Sequence, residues 1–298
     1  THTLRKNERV REMHREEDLQ GEGSGVGGMP DTPSTQLRFS KSFWKHRFFQ
    51  DAGDEEDTYV FPTEKLSPEA PADSGKQNIL LVACGSFSPL TYMHLRMFET
   101  ARDALLRENY HVIGGLLSPV HDEYNKIGLV GSSHRLNMCL LGTQSSEWMD
   151  VDPWETLQPS YCRSLLVLRH FRESLTTNGF PNTRVLLLCG ADMLKSFMLP
   201  GVWNESHVQE ILTVYGVCVI ERQGVNAREL IQEHDLLFEN SQHIHIIPEW
   251  ILNDVSSTKI RRNVRRGQSI RYLIPEDVEQ YIYRHKLFKS QEQQAFQP

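Results

Sequence analysis

The sequence predicts an α/β domain on a doubly wound parallel sheet, entered after a long N-terminal extension. Three observations carry that expectation. Short, wholly apolar runs recur between residues 78 and 247, the pattern of strands buried on both faces. Segments with apolar residues at helical spacing lie between them, joined by short loops. The first 76 residues share neither pattern. Such alternation, without an internal repeat, argues a parallel sheet covered by helices.

Residues 78–84 (NILLVAC) are the first buried strand. Residues 92–108 are helical, with Met93, Met97, Leu105 and the pair Leu95/Phe98 on helical spacing. Residues 110–117 (YHVIGGLL) form the second strand, 132–143 a helix, 148–151 a short strand and 161–177 a helix. The strand 185–189 (VLLLC) precedes a helix at 191–198. Residues 215–220 and 243–247 are the last two strands, and helices at 257–266 and 275–285 close the chain.

The extension holds 11 Lys/Arg against 15 Asp/Glu. It contains GEGSGVGGMP at 21–30, the acidic run DAGDEED at 51–57, and Pro62, Pro68 and Pro71, a composition that reads as disordered. The expected organisation is a disordered extension at 1–76, a catalytic domain at 77–290 and a short tail at 291–298. Residues 39–49 (FSKSFWKHRFF) are the aromatic and basic exception. They read as a weakly packed piece of tail, or as a docking or phosphorylation motif with Ser40 and Ser42.

Several function classes fall away. No apolar run approaches the roughly 18 residues of a membrane span. No N-terminal apolar stretch resembles a secretory leader, and Glu8, Glu12, Glu16, Glu17 and Asp18 argue against a transit peptide; a segment upstream of Thr1 stays open. The five cysteines (Cys84, Cys139, Cys162, Cys189 and Cys218) are odd in number and lack metal-ligand spacing. They read as buried reduced thiols, with no metal site. A net charge of −7 gives no reason to propose nucleic-acid binding.

Chemistry concentrates at two turns. Residues 84–94 (CGSFSPLTYMH) join the first buried strand to the first helix. In an open parallel sheet, ligands bind beyond the carboxyl ends of the strands, beside the switch point. Gly85 permits close backbone approach, amides at the helix start form an anion site, and His94 can point back to that anion. Neither a GxGxxG nor a GxxxxGK[ST] motif is present. The second turn, 255–262 (VSSTKIRR), places a Ser256 or Ser257 cap beside Lys259, Arg261 and Arg262. A basic run is usually a solvated helix face; the hydroxyl-rich cap ahead of it favours phosphate. Two such helix starts, about 165 residues apart on one sheet, suggest a nucleoside triphosphate. Phosphoryl and nucleotidyl transfer ask little of a protein beyond positioning and charge stabilisation.

Gly85-Ser-Phe-Ser-Pro-x-Thr-x-x-His94 resembles the first motif of the adenylyltransferase superfamily, and Ser257-Thr-x-x-Arg261 resembles its second. LLVACGSFSPLTYMHLRMFETARD, SPVHDEY, WMDVDPWE, LLLCGADMLKSF, PGVWN and NDVSSTKIRR are similar, in order and spacing, to eukaryotic nicotinamide-nucleotide adenylyltransferases over about residues 77–288. The resemblance implies a Rossmann-like three-layer α/β/α domain. It implies that ATP and nicotinamide (or nicotinic acid) mononucleotide give NAD (or its acid analogue) and pyrophosphate. Mg²⁺ would arrive with ATP, and no covalent enzyme intermediate is expected.

Carried over by position, His94, Ser86 and Arg261 are the implied catalytic residues. Gly85, Ser86 and Phe87 would line the mononucleotide and α-phosphate site, with Lys126 reaching a phosphate. Ser257, Thr258, Lys259, Ile260 and Arg261 would hold the ATP phosphates and adenine side. Gly190 and Asp192 would meet the ribose, and Trp203, beside Val202, would stack on the pyridine ring. Tyr161 stands where relatives often have a second ring-stacking Trp, and Ser164 where they have Thr. Asn253 and Arg222 fall at ligand-associated positions. Each has a plainer reading: Asp192 as a helix cap, Trp203 as packing, Lys126 as a loop charge, Arg222 as a surface ion pair, His94 as a buried imidazole. Trp148 and Trp154 read as structural.

Ser88 replaces a frequent Asn, and the short segment 176–183 lacks the basic or Cys-rich inserts that address some relatives. The resemblance further implies a homo-oligomer in the cytoplasm or nucleus, with the mitochondrion left open. Two alternatives stand beside it. One is a cytidylyl or pantetheine-phosphate substrate of the same superfamily. The other is an additional chaperone-like binding role using the extension.

Overall fold

The computed structural model describes residues 47–50, 58–124, 126–221, 226–251 and 253–289. Six parallel strands form the central sheet: β1 (Gln77–Gly85), β2 (Tyr110–Pro119), β3 (Met149–Val151), β4 (Thr183–Gly190), β5 (Val217–Glu221) and β6 (Ile244–Pro248). Their order is β3-β2-β1-β4-β5-β6. The chain winds outward one way from β1 and then returns to wind the other way from β4. The switch point therefore lies between the carboxyl ends of β1 and β4.

Helices flank the sheet: α1 (Tyr92–Arg107), α2 (Ser132–Thr143), α3 (Trp154–Leu157), α4 (Ser164–Thr177) and α5 (Ala191–Phe197). They are followed by α6 (Glu205–Glu210), α7 (Ala227–Gln232), α8 (Asp235–Glu239), α9 (Ser257–Arg265) and α10 (Glu276–Arg284). Alternate strand residues face opposite sides. Leu80, Val82, Leu187 and Val219 pack with Leu165, Phe171, Leu194 and Tyr215 on one face. Ile79, Leu81, Leu186 and Ile220 pack with Met97, Phe98 and Leu136 on the other. This is the three-layer α/β/α arrangement expected. A third cluster, around Met138, Ile260, Val264, Ile274 and Ile282, fastens α9 and α10 to α2.

All six expected strands are present. Helix α4 starts at Ser164 rather than 161, capped at Arg163. The short helices α3, α6, α7 and α8 were not expected. Four to six residues give too few turns for a 3.6-residue period to register.

Described residues ahead of β1 also make buried contacts. Phe48 is completely buried and Phe61 is 5% exposed. A two-residue antiparallel ladder joins Phe49–Gln50 to Thr58–Tyr59. Arg47 pairs with the buried Asp150 of β3. The Tyr59 hydroxyl donates to Asp152 at 2.8 Å. Lys65 Nζ donates to the carbonyls of Thr143 (2.8 Å) and Met149 (3.0 Å). Residues 47–50 and 58–68 thus form a strap over the β3 edge, where Arg47 and Tyr59 meet the acidic side chains of Asp150 and Asp152. Composition concealed it, because its anchors are single aromatic and cationic residues spaced among Pro, Gly and acid. The Ser40/Ser42 motif and the Gly-rich run lie outside the described residues.

Candidate active site

A cavity of about 310 Å³ opens at the switch point. Gly85, Ser86 and Phe87 line it from the end of β1, His94 from α1 and Lys126 from the loop after β2. Gly190 and Asp192 line it from the end of β4, and Ser257 and Thr258 from the start of α9. Nine of the expected residues, spread over 174 positions of chain, share one wall space.

The first turn is built around an aromatic ring. Its left-handed residue is Phe87 (φ 41°), not Gly85. A Cβ on Gly85 would meet the Phe87 ring at 3.0 Å, so glycine is required here by close approach. The Phe87 ring stands edge-on to His94, centroids 5.3 Å apart.

His94 is the third residue of α1 and completes a capping box with Thr91. The Thr91 amide donates to His94 Nδ1 at 3.0 Å, and the Thr91 hydroxyl lies 2.8 Å from the same atom. A ring nitrogen that accepts carries no proton, so the proton of the neutral imidazole sits on Nε2. The Thr91 amide at the cap of α1 is thus taken by His94 itself.

Lys126 Nζ lies 3.4 Å from Ser86 Oγ. Burial first, and then the Arg261 charge, hold its ammonium below the ordinary lysine range. Arg261 lies beneath the turn rather than on the cavity wall. Its Nη1 donates to the Ser88 carbonyl at 2.8 Å and its Nη2 to Thr258 Oγ1 at 3.3 Å. The Ser257 hydroxyl donates to the Pro89 carbonyl at 2.8 Å, so the two motifs are tied directly. Ser256, not Ser257, caps α9.

The Cytidylyltransferase-like family model matches residues 82–263. A nicotinamide/nicotinic acid mononucleotide adenylyltransferase 1 from Bos taurus is 41% identical over 262 residues, covering 74% of this chain and 92% of its own. The Arabidopsis thaliana nicotinamide/nicotinic acid mononucleotide adenylyltransferase is 43% identical over 230 residues, covering 76% and 96%. The chain belongs to this adenylyltransferase family. Among solved structures, the Plasmodium falciparum nicotinic acid mononucleotide adenylyltransferase complexed with NaAD superposes with a TM-score of 0.50 at 18% identity, covering 71% of this chain and 97% of that one. That likeness supports the fold.

The remaining expected positions among the described residues lie off the cavity wall. Tyr161 is 40% exposed; its ring lies 5.6 Å from that of Tyr124 and its amide donates to Glu123 at 3.1 Å. Ser164 opens α4. Trp203 donates through Nε1 to Ser196 Oγ at 3.0 Å and stands edge-on to Phe197, with Val202 exposed beside it. Asn253 accepts from the Val255 amide at 3.1 Å. Lys259 pairs with Asp254 on the flank of α9. The Ile260 side chain is fully buried in the cluster shared by α9 and α2, and its amide donates to the Ser256 carbonyl at 3.0 Å. Arg222 lies outside the described residues. Trp154 stacks on His170 at 4.1 Å and Trp148 donates to Glu99, both structural as read.

Two buried ionisable residues were not anticipated. Glu155 accepts from Ser118 Oγ at 3.1 Å, and burial pushes its carboxyl up to about 8. Arg135 lies fully buried beneath the turn. Among the described residues no group of three or more His, Cys, Asp or Glu is placed to hold a metal, and no helix is long and apolar enough to cross a membrane.

Proposed function

We propose that the chain transfers the adenylyl group of ATP to the 5′-phosphate of nicotinamide mononucleotide or its acid analogue. The products are NAD, or the acid dinucleotide, and pyrophosphate. The observation that carries this is His94, oriented by Thr91 at the first turn of α1, in a cavity that also gathers Ser86, Lys126, Ser257 and Thr258. Relatives at 41% and 43% identity favour these substrates over the cytidylyl or pantetheine-phosphate substrates of the wider superfamily.

A mononucleotide phosphate oxygen attacks the α-phosphorus in line, and the bond to the β-phosphate oxygen breaks. The nucleophile belongs to the substrate, so the protein's part is orientation and charge stabilisation. The proton on His94 Nε2 goes into a hydrogen bond with an α-phosphoryl oxygen as its charge grows. Lys126 and the Ser86 hydroxyl serve the same phosphates, and the start of α9 takes the polyphosphate. Arg261 acts by holding Ser88 and Thr258. Mg²⁺ would enter with ATP as part of the substrate and would supply neutralisation of the phosphate charge.

The test is to incubate purified protein with ATP, Mg²⁺ and each mononucleotide separately and follow dinucleotide formation. His94→Ala should lower kcat by roughly 10²–10³ with little change in mononucleotide affinity, the cost of one donor to a developing anion. A variant that lost affinity but kept its turnover would remove His94 from this role.

A further inference from the structure

We propose that Arg135 is a positioning residue for adenylyl transfer: its buried guanidinium sets the spacing between the phosphate turn and the loop that carries Lys126. This rests on the reading of Ser86 and Lys126 as substrate contacts.

Arg135 lies in the first turns of α2 and is 0% exposed. All three guanidinium nitrogens are engaged. Nε donates to the Val130 carbonyl at 2.9 Å. Nη2 donates to the Val120 carbonyl at 2.6 Å and to Asp122 Oδ1 at 2.9 Å. Nη1 donates to the Ser86 carbonyl at 3.4 Å. The first three acceptors belong to the loop between β2 and α2; the fourth belongs to the turn after β1.

That loop forms one side of the site. Lys126 sits at its middle and points to Ser86. Asp122 also accepts from Ser132 Oγ at 2.8 Å, and Glu123 and Tyr124 hold the Tyr161 backbone and ring. Loop and turn meet again where the Val120 amide bonds the Gly85 carbonyl at 3.0 Å and the Val130 amide bonds Ser88 Oγ at 3.4 Å. Arg135 stands at the junction of both.

The choice of acceptors separates positioning from packing. A buried ion costs desolvation, and a well-packed apolar residue of similar volume often does as well for stability. A buried arginine kept for stability alone has no need to spend each donor on the backbone or carboxylate of substrate-facing segments. Here every acceptor lies in one of the two walls between which the phosphates must fit. Lysine could not substitute, because a single ammonium cannot reach acceptors on opposite sides of a planar fork.

The experiment compares full-length wild type with Arg135→Met, Arg135→Lys, Asp122→Ala and Lys126→Ala, measuring kcat and KM for ATP and mononucleotide and the melting temperature of each. Arg135→Met should lower kcat/KM for the mononucleotide by about 10²-fold, as expected when reacting groups are displaced by an ångström. Arg135→Lys should lose nearly as much even where its melting temperature recovers. Asp122→Ala, at a half-exposed carboxylate, should lose about tenfold through one charge-assisted bond. Arginine variants with lowered melting temperatures but wild-type kinetics in the folded fraction overturn the proposal. If Arg135→Met fails to fold, wild-type kinetics in Asp122→Ala overturn it equally. Wild-type rates in Lys126→Ala would instead overturn the substrate reading beneath it.

Discussion

The strap over β3 makes a prediction opposite to that for a disordered tail. Phe61 is 5% exposed and sits edge-on to Phe171 and His170, with centroids 6.1 Å away in each case. Removing a buried Phe side chain costs about 3–5 kcal/mol when the site cannot collapse. Collapse is restricted here, because Tyr59 on one side is tied to Asp152 and Leu66 on the other lies over Gly114. For a domain of this size each kcal/mol lowers the melting temperature by roughly 2–4 °C, so Phe61→Ala should melt roughly 6–20 °C lower. Phe61 does not line the cavity, so kcat and KM at 20 °C should stay at wild-type values. Truncation supplies the second arm. Deleting residues 1–46 should leave the melting temperature unchanged, whereas deleting 1–68 should lower it by at least as much as Phe61→Ala. Thermal unfolding followed by far-ultraviolet circular dichroism reads both. A Phe61→Ala protein melting within 1–2 °C of wild type would refute the reasoning, because its strap contacts would then contribute almost nothing.

Gly85→Ala should raise the mononucleotide KM and lower kcat while sparing most stability, since the added Cβ forces the Phe87 ring, and with it the adjacent His94, to move; steady-state kinetics checks this. Glu155 titrates at about 8 in the fold against an ordinary 4.5, so the native state holds a proton the unfolded chain has released between those values. Stability should therefore fall as pH rises through that window, by up to about 1.4 kcal/mol per pH unit, and Glu155→Gln should flatten the fall in urea-unfolding midpoints between pH 5 and 8.5. Substrate polyanion should restore the depressed Lys126 toward its ordinary range, so ATP binding at alkaline pH should take up protons, seen by calorimetry in buffers of different ionisation enthalpy and lost in Lys126→Ala.

The central strands were the most legible, because burial on both faces leaves an apolar run such as residues 79–83 or 185–189. The two phosphate-facing turns were legible for a related reason: glycine, hydroxyl and His94 follow directly on such a run. What could not be read was distance. The Ser257 bond to Pro89 spans 168 residues and the Arg261 bond to Ser88 spans 173, and neither leaves a periodic trace. Ile260 adjoins Arg261 in the motif, but the direction of its side chain could not be read from that adjacency. A helix turns 100° per residue, which sends the Ile260 side chain into the core while Thr258 lines the cavity. Arg135 and the strap were missed because composition counts charges without knowing which are buried.

These misses share a physical pattern that bears on how an acidic chain accepts a polyanion. With a net charge of −7, the molecule as a whole repels ATP. The local field at the switch point differs because its cations are placed where water screens them least. Arg135 is fully buried, Arg261 nearly so, and Lys126 is partly desolvated. Among the described residues neither Arg261 nor Lys126 is ion-paired with a carboxylate, and the partner of Arg135, Asp122, is itself half in solvent. Lys259, by contrast, is neutralised by Asp254 on the outer flank of α9, and so adds little inward. The positive potential is thus carried by side chains held in place by the very turns the substrate must meet, Arg135 and Arg261 through backbone carbonyls and Lys126 through the Ser86 hydroxyl. Holding them costs desolvation in the empty protein, and phosphate charge repays that cost only when it arrives between those turns. A site so arranged favours a polyphosphate over a single anion, and it ties affinity to loop geometry rather than to net charge.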